Sequence, residues 1–174
     1  HGAEPDRTWD ERSRALADQL MSELKAELGQ ALQQGGAVAA ITVCKSRAPE
    51  IAARLSASSG AEVKRTAIRL RNPANAPDDL ERAVMQGFAA ELSGASPVAS
   101  VPPEAIFESR SAQGTERRYL RAIVMQPVCL ACHGTTLAPE IATAIAREYP
   151  QDAATGFETG QLRGAVTVRW PATR

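Results

Sequence analysis

The sequence predicts an α+β fold, in which helices flank an antiparallel sheet and a long helix comes first. Leucines recur every four residues near the start of the chain, as they do in a helix with one apolar face. Short alternating segments, typical of half-buried strands, are interspersed with helical segments and return at the end of the chain. This order favours a sheet with helices packed on it, and 174 residues favour one domain.

The first third of the chain predicts a helix, a strand and a second helix. Asp10 to Gln34 is the long helix, and Gly35-Gly36 is expected to end it. Ala37 to Cys44 is a short apolar run with strand character. Pro49 to about Ser58 is the second helix, because Pro is tolerated in a first helical turn. The long helix either covers the core or serves as a signalling or dimerisation helix that leads in from a membrane anchor.

The segment from Glu62 to Arg71 alternates and predicts a strand, which the Asn-Pro-rich stretch from Asn72 to Pro77 ends. Three arginines, Arg65, Arg69 and Arg71, share one face of this strand. That face is either solvated or placed to bind anions.

The remaining elements repeat this mixture. A helix is expected over 78–92, a hairpin over 104–110 and 116–125, a helix over 139–149 and a last strand over 162–170, with loops at 93–100 and 152–160. Strands that return this late suit a PAS-like antiparallel sheet. We expect a disordered end over residues 1–9 and a single domain over residues 10–174, which begins with helix 10–34.

The pentapeptide from Cys129 to His133 carries the strongest chemical signal. It reads Cys-Leu-Ala-Cys-His, and Cys-x-x-Cys-His is the attachment signature of a c-type haem. Two thiols at this spacing, Cys129 and Cys132, add to the two vinyl groups of the porphyrin, and His133 then offers a nitrogen to the iron. The sequence therefore predicts one covalently bound haem c.

Two other chemistries use the same cysteine spacing. A zinc site needs two more Cys or His ligands, and only Cys44 and His1 remain. A thioredoxin-like pair opens a helix after a strand, but the His that follows directly and the lack of a βαβ pattern count against it.

Composition bounds the partners and the compartment. With 20 basic and 20 acidic residues the net charge is zero, which gives no reason to expect a nucleic-acid partner. No apolar run approaches the roughly 20 residues that span a bilayer. Because haem is attached to cysteines after export, we expect a periplasmic or otherwise extracytoplasmic protein. The start His-Gly-Ala-Glu-Pro-Asp is typical of a chain whose leader has been removed.

The residues leave two interpretations of Cys44 open, one of which makes it the second axial ligand of the iron. Met21 and Met85 fall in helical patterns where they fill a core, and Met125 is too near Cys129 to reach the far face. Cys44 ends the predicted strand beside Lys45 and Arg47, which favour its thiolate form. The alternative is that Cys44 is a small buried apolar residue.

The chain resembles the family catalogued as domain of unknown function 3365, which are single c-type haem domains with a PAS-like fold. The matching stretches cover most of the chain and are 40–44 with 48–52, 64–78, 129–134, and 149–157 with 163–165. The Arg-x-Arg-Asn-Pro-x-Asn-x-Pro stretch and the tail pattern are the specific parts. The resemblance implies His/Cys axial ligation, with His133 and Cys44 as the ligands.

The predicted function follows from that ligand pair. A thiolate ligand stabilises ferric iron and lowers its potential. We therefore expect a redox sensor or a sensor of a diatomic gas such as NO or CO; the alternative is a soluble electron-transfer cytochrome with a redox partner protein. Arg65, Arg69 and Arg71 are candidate partners of the haem propionates. Tyr149 and Arg163 are weaker candidates for the same role. No catalytic constellation is evident, so we do not expect an enzyme. A homodimer through the N-terminal helix is possible.

Overall fold

The structure, a computed structural model, describes residues 5–94 and 101–173, and this part of the chain forms five helices and four strands. The helices are α1 (Pro5–Thr42), α2 (Ala48–Ser59), α3 (Asp79–Ser93), α4 (Leu130–His133) and α5 (Pro139–Glu148). The strands are β1 (Glu62–Thr66), β2 (Glu104–Ser111), β3 (Gly114–Val124) and β4 (Leu162–Thr173). The fold is thus a mixture of helices with an antiparallel sheet, and a long helical segment precedes the sheet.

The sheet has the order β1-β4-β3-β2, and every neighbouring pair is antiparallel. The last strand of the chain therefore lies inside the sheet, between β1 and β3. The predicted hairpin is confirmed, because β2 and β3 pair from Glu104↔Arg121 to Ser111↔Gly114. Gly114 has a φ of 120°, which a residue with a side chain rarely adopts.

The helices cover both faces of this sheet. Helices α1 and α2 pack on one face around Leu20, Leu55 and Tyr119, which are almost completely buried. Helix α3 packs on the other face, where Met85 and Phe88 contact Leu120. Neighbouring residues of a strand point to opposite faces, so Tyr119 and Leu120 belong to different clusters. Asp78 and Glu81 form a capping box at the start of α3.

The strand predicted over Ala37 to Cys44 is wrong, because helix α1 runs on to Thr42. Gly36 does leave the helical conformation, with φ 73° and ψ −167°, but the backbone kinks there and then resumes its helix. Residues 37–42 are rich in Ala, the best helix former, and a short apolar run does not by itself distinguish helix from strand. A π-helical turn, Val43–Arg47, then joins α1 to α2 and contains Cys44.

The strand predicted over Glu62 to Arg71 is only half as long as expected. It ends at Thr66, whose side-chain hydroxyl donates to the Asn75 carbonyl at 2.8 Å. Asn72 then accepts from the Ala74 N–H at 3.0 Å and starts the 3₁₀ turn Pro73–Asn75. Arg65 lies on the strand, whereas Arg69 and Arg71 lie beyond it.

Other predicted boundaries were close to those observed. Helix α1 begins at Pro5 rather than Asp10, so residues 5–9 of the end predicted to be disordered are helical, and residues 1–4 lie outside the described residues. Most of the loop predicted over 93–100 also lies outside them. No helix in the described ranges is both long enough and apolar enough to cross a membrane.

Candidate functional site

The Cys-x-x-Cys-His peptide forms a compact turn directly after the sheet. Strand β3 ends at Val124, and a 3₁₀ turn, Pro127–Cys129, leads into the four-residue helix α4. Cys129 packs against a cluster of Met125, Ala154 and Phe157, while Cys132 packs against a second cluster that includes Ile41 and Tyr149. Both thiols remain partly exposed and free of disulfides. The two cysteines are therefore three residues apart, and each packs against a different apolar cluster.

His133 is held in one tautomer by the backbone. Its Nδ1 lies 2.7 Å from the Ala154 carbonyl oxygen. Because a carbonyl only accepts, Nδ1 carries the proton and Nε2 keeps its lone pair. Burial, followed by the charges of Arg163 and Arg71, lowers the His133 pKa to about 3. The side chain is thus neutral at physiological pH and offers Nε2 as a ligand, the arrangement usual for metal-bound histidine.

The segment with Gly156 and Phe157 holds the backbone of His133 by hydrogen bonds. The Phe157 N–H donates to the His133 carbonyl at 2.9 Å, and the Gly156 N–H donates to the Gly134 carbonyl at 2.9 Å. The Phe157 ring meets the His133 ring edge-on, with centroids 6.3 Å apart. The loop that follows α5 therefore positions His133 through both its main chain and its ring.

Cys44 lies in the same part of the molecule as Cys132, although the two residues are far apart in sequence. Ile41, one turn before Cys44, belongs to the apolar cluster on which Cys132 packs. Burial raises the pKa of the Cys132 thiol, and Cys44 raises it further while Arg71 lowers it. Burial also raises the Tyr149 pKa to about 12, with the next contribution from Cys44. The fold thus brings the π-helical turn close to the Cys-x-x-Cys-His peptide.

Arg71 is the most tightly held of the three predicted arginines. Its Nε donates to Asp152 Oδ1 at 2.8 Å, and its Nη2 donates to the carbonyls of Cys132 at 2.6 Å and Ala154 at 3.1 Å. Its Nη1 forms no hydrogen bond within the described residues 5–94 and 101–173. Arg71 therefore clamps the Cys-x-x-Cys-His peptide, and its contact with a propionate stays a prediction.

The other two predicted arginines lie at the rim. Arg69 stacks over the Phe157 ring, with its Cζ 4.0 Å from the centroid, and is exposed. Arg65 and Arg163 have no ion pair within the described ranges. Burial, Arg65 and Arg71 together lower the Arg163 pKa to about 10. Several guanidinium groups with few carboxylates among them make this rim electropositive.

Met21 and Met85 pack in the core, as their helical patterns predicted. Met85 is completely buried between α3 and the sheet, and Met21 packs against the cluster under α1 and α2. Met125 is 1% exposed and shares its cluster with Cys129. Neither Met21 nor Met85 belongs to the clusters that contain Cys129 and Cys132.

The two competing chemistries find little support in this geometry. Within the described part of the chain, no three His, Cys, Asp or Glu side chains converge as ligands of a bare metal ion. A zinc site needs four such ligands. The sheet is antiparallel throughout, and α4 has only four residues, unlike the long helix that a thioredoxin-like pair opens.

Comparison with known proteins adds to the geometry. The Tll0287-like family matches residues 3–171. The chain belongs to this family. A solved relative of the Tll0287-like family, "Crystal structure of the cyanobacterial heme-protein Tll0287", is 25% identical to the chain, with a TM-score of 0.68, and the similarity covers 99% of both chains. No curated protein sequence matches.

The site of this Tll0287-like chain also contains two groups that the sequence did not single out. One is the Ala154 carbonyl, which accepts from both His133 and Arg71. The other is Asp152, the partner of Arg71. Every residue has a backbone carbonyl, so the residue type does not show which carbonyl will accept a hydrogen bond. Asp152 stood in the tail pattern of the resemblance, so a search for the acidic partner of Arg71 would have found it.

Proposed function

We propose that this chain is a monohaem c-type cytochrome domain with a PAS-like fold, whose haem is bonded to Cys129 and Cys132 and whose iron is held by His133 and Cys44. The observation that carries the proposal is His133 Nδ1, which donates to the Ala154 carbonyl and so leaves Nε2 free beside two thiols. The related crystal structure is of a protein described as a heme-protein.

The residues present fit a haem by their chemistry. Two partly exposed thiols at the required spacing face apolar clusters, and a neutral imidazole offers one nitrogen. The electropositive rim of Arg65, Arg69 and Arg163 suits the two carboxylates of the propionates. When bound, haem supplies one-electron chemistry and an iron coordination site.

The attachment is tested with haem-staining of the denatured protein after expression with a cytochrome c maturation system. We expect stain on the chain and a mass increase of one haem. Cys129→Ser and Cys132→Ser each remove one of the two bonds, and the double variant loses the stain. Cys44→Ser is the control, because Cys44 takes no part in attachment. A wild-type chain that carries no covalent haem would overturn the proposal.

The second axial ligand is tested separately. Cys44→Ala removes the proposed sulfur donor, so we expect the six-coordinate low-spin ferric absorption spectrum to change and the reduction potential to rise, because thiolate favours ferric iron. Ser46→Ala is the matched control, since Ser46 lies in the same turn and its hydroxyl only donates to the Thr42 carbonyl at 2.9 Å. An unchanged spectrum in Cys44→Ala would exclude Cys44 as a ligand.

As the physiological role, we propose redox or diatomic-gas sensing. If Cys44 holds the iron, protonation of its Sγ or loss of the iron–sulfur bond in the reduced protein would free a coordination position for a diatomic ligand such as NO or CO. Cys44 lies in a π-helical turn between two helices, and such turns are frequent at functional sites. Displacement of sulfur by CO in the reduced protein supports sensing; fast electron exchange without ligand binding supports the alternative, an electron-transfer cytochrome.

The electron-transfer alternative has its own observation. Val128, beside the first thiol, is 66% exposed, so a redox partner protein can approach this edge of the site. Either role fits an exported protein in the periplasm or another extracytoplasmic space, and a homodimer through α1 is compatible with both. The proposal assigns no catalytic residue.

A further inference from the structure

Arg71 and Asp152 form a nearly buried ion pair behind His133. Their side chains are 8% and 11% exposed, and Arg71 Nε lies 2.8 Å from Asp152 Oδ1. The same guanidinium donates to the Cys132 carbonyl, next to His133 in sequence, and to the Ala154 carbonyl. The ion pair therefore links the peptide that carries His133 to the loop whose Ala154 carbonyl accepts the hydrogen bond from His133 Nδ1.

Both backbone groups of Ala154 are held by this pair. Its N–H donates to Asp152 Oδ1 at 3.1 Å, and its carbonyl accepts from Arg71 Nη2 at 3.1 Å. That carbonyl is also the acceptor of His133 Nδ1, at 2.7 Å. The Ala154 carbonyl oxygen thus accepts hydrogen bonds from the Arg71 guanidinium and from the His133 imidazole at the same time. The charge on Arg71 draws electron density from the oxygen, so it becomes a weaker acceptor for Nδ1–H.

We propose that Arg71 and Asp152 are positioning residues. They set the reduction potential by controlling the strength of the hydrogen bond from His133 Nδ1–H to the Ala154 carbonyl oxygen. The inference rests on the proposed function, because His133 must be an iron ligand. A stronger acceptor at Nδ1 makes the imidazole a better donor to iron and favours the ferric state. The charge of Arg71 weakens the Ala154 acceptor and so limits this preference for ferric iron. The carboxylate of Asp152 partly neutralises that charge.

Two substitutions are expected to shift the potential in opposite directions. Arg71→Gln removes a cation bonded to the peptide that carries His133 and strengthens the Ala154 acceptor, and both changes would favour ferric iron, so the potential is expected to fall. Asp152→Asn leaves the Arg71 charge uncompensated, so the potential rises. If the pair only held the loop in shape, both substitutions would loosen the same turn and shift the potential the same way.

The experiment is a spectroelectrochemical titration of the haem-loaded protein. Arg71→Lys keeps the charge but loses the fork, so its potential is expected between those of wild type and Arg71→Gln. Arg147→Gln is the matched control and is expected to leave the potential unchanged, because the Arg147 side chain is 67% exposed on α5. If Arg71→Gln does not take up haem, Asp152→Asn and Arg71→Lys still give one expected rise and one expected fall.

Opposite shifts of the two variants, with no shift in Arg147→Gln, support the inference. Shifts in the same direction, or no shift in either variant, overturn it while the proposed function stands. A wild-type chain without covalent haem would instead overturn both, and the haem stain identifies that case before any potential is measured.

Discussion

Gly134 follows His133 directly, and the fold leaves no room for a side chain there. A Cβ atom on Gly134 would lie 2.5 Å from the Leu130 carbonyl oxygen, which accepts the Gly134 N–H at 2.9 Å. Gly134 also accepts from Gly156, in the loop that orients His133. The absence of a side chain at this one residue therefore lets the histidine turn close against that loop.

Gly134→Ala is expected to lower the free energy of unfolding by about 1–3 kcal/mol, the usual cost of overpacking a tight site. Denaturant unfolding measures this change. Gly87→Ala is the control: Gly87 lies within α3, and a Cβ there would meet no atom within 4 Å outside its own helix, so Ala is expected to stabilise by about 0.5–1 kcal/mol. Equal effects of the two substitutions would contradict the steric argument.

At the scale of single residues, the sequence identifies chemistry better than it identifies partners. Cys129, Cys132 and His133 follow from a motif whose spacing the chemistry requires. The sequence left Arg71 either solvated or placed to bind an anion, and its geometry cannot be inferred from the strand pattern, since the chain leaves the strand at Thr66. The acceptor of His133 is a backbone oxygen, and only the folded chain shows which one.

Among the elements, helix α1 is joined to the sheet through a carboxylate. Arg14 on α1 donates to Glu104 Oε1 at 3.0 Å through Nε and at 2.8 Å through Nη2. The Tyr119 hydroxyl on β3 donates to the other Glu104 oxygen at 2.7 Å. The Arg14 hydrogen bond lowers the Glu104 pKa, burial opposes this, and Tyr119 lowers it further. Glu104 thus connects α1, β2 and β3 in its ionised form.

This connection predicts that acid weakens the docking of α1. The folded pKa of Glu104 lies below its ordinary value of 4.5, so the stabilisation is complete above about pH 4.5 and is lost as the pH falls through the folded pKa. Glu104→Gln is expected to flatten this part of the pH profile of unfolding. Glu108→Gln, on the same strand, controls for the loss of one carboxylate; an identical profile in both variants would refute the role of Glu104.

Elements with long periodic patterns were predictable, and short apolar runs were not. The leucine repeat predicted α1, which extends beyond both predicted ends, and the helix expected over 78–92 matches α3 to within a residue at each end. Residues 37–42 were misassigned because a short run in which five of six residues are apolar suits a helix and a strand equally well. The difference matters for function, since it places Cys44 in a π-helical turn rather than at a strand end.

For the whole molecule, the position of β4 predicts cooperative unfolding. Val168 on β4 is completely buried and is paired with Val63 of β1 on one side and Tyr119 of β3 on the other. Val168→Ala is expected to lower the free energy of unfolding by about 2 kcal/mol. Because one strand joins both halves of the sheet, far-ultraviolet circular dichroism and haem absorbance are expected to report the same midpoint.

Val101→Ala is the control for this prediction, because Val101 is 77% exposed and is expected to change stability little. Two separate midpoints in Val168→Ala would show that the Cys-x-x-Cys-His peptide unfolds independently of the sheet, against the expected single domain over residues 10–174. The antiparallel α+β class was predictable from the order of elements, whereas the central position of β4 was not, since alternation does not specify strand neighbours.

That position also has a consequence for the order in which the molecule is completed. Synthesis runs from the N-terminus, and β1 ends at Thr66 while its partner β4 begins only at Leu162. Until β4 is available, β1 has no neighbour and β3 has only β2. Contacts that close such long loops form late and slowly. The segment with Cys129 and Cys132 lies between β3 and β4 in the chain, so it stays in an open loop until β4 has paired with both of its neighbours.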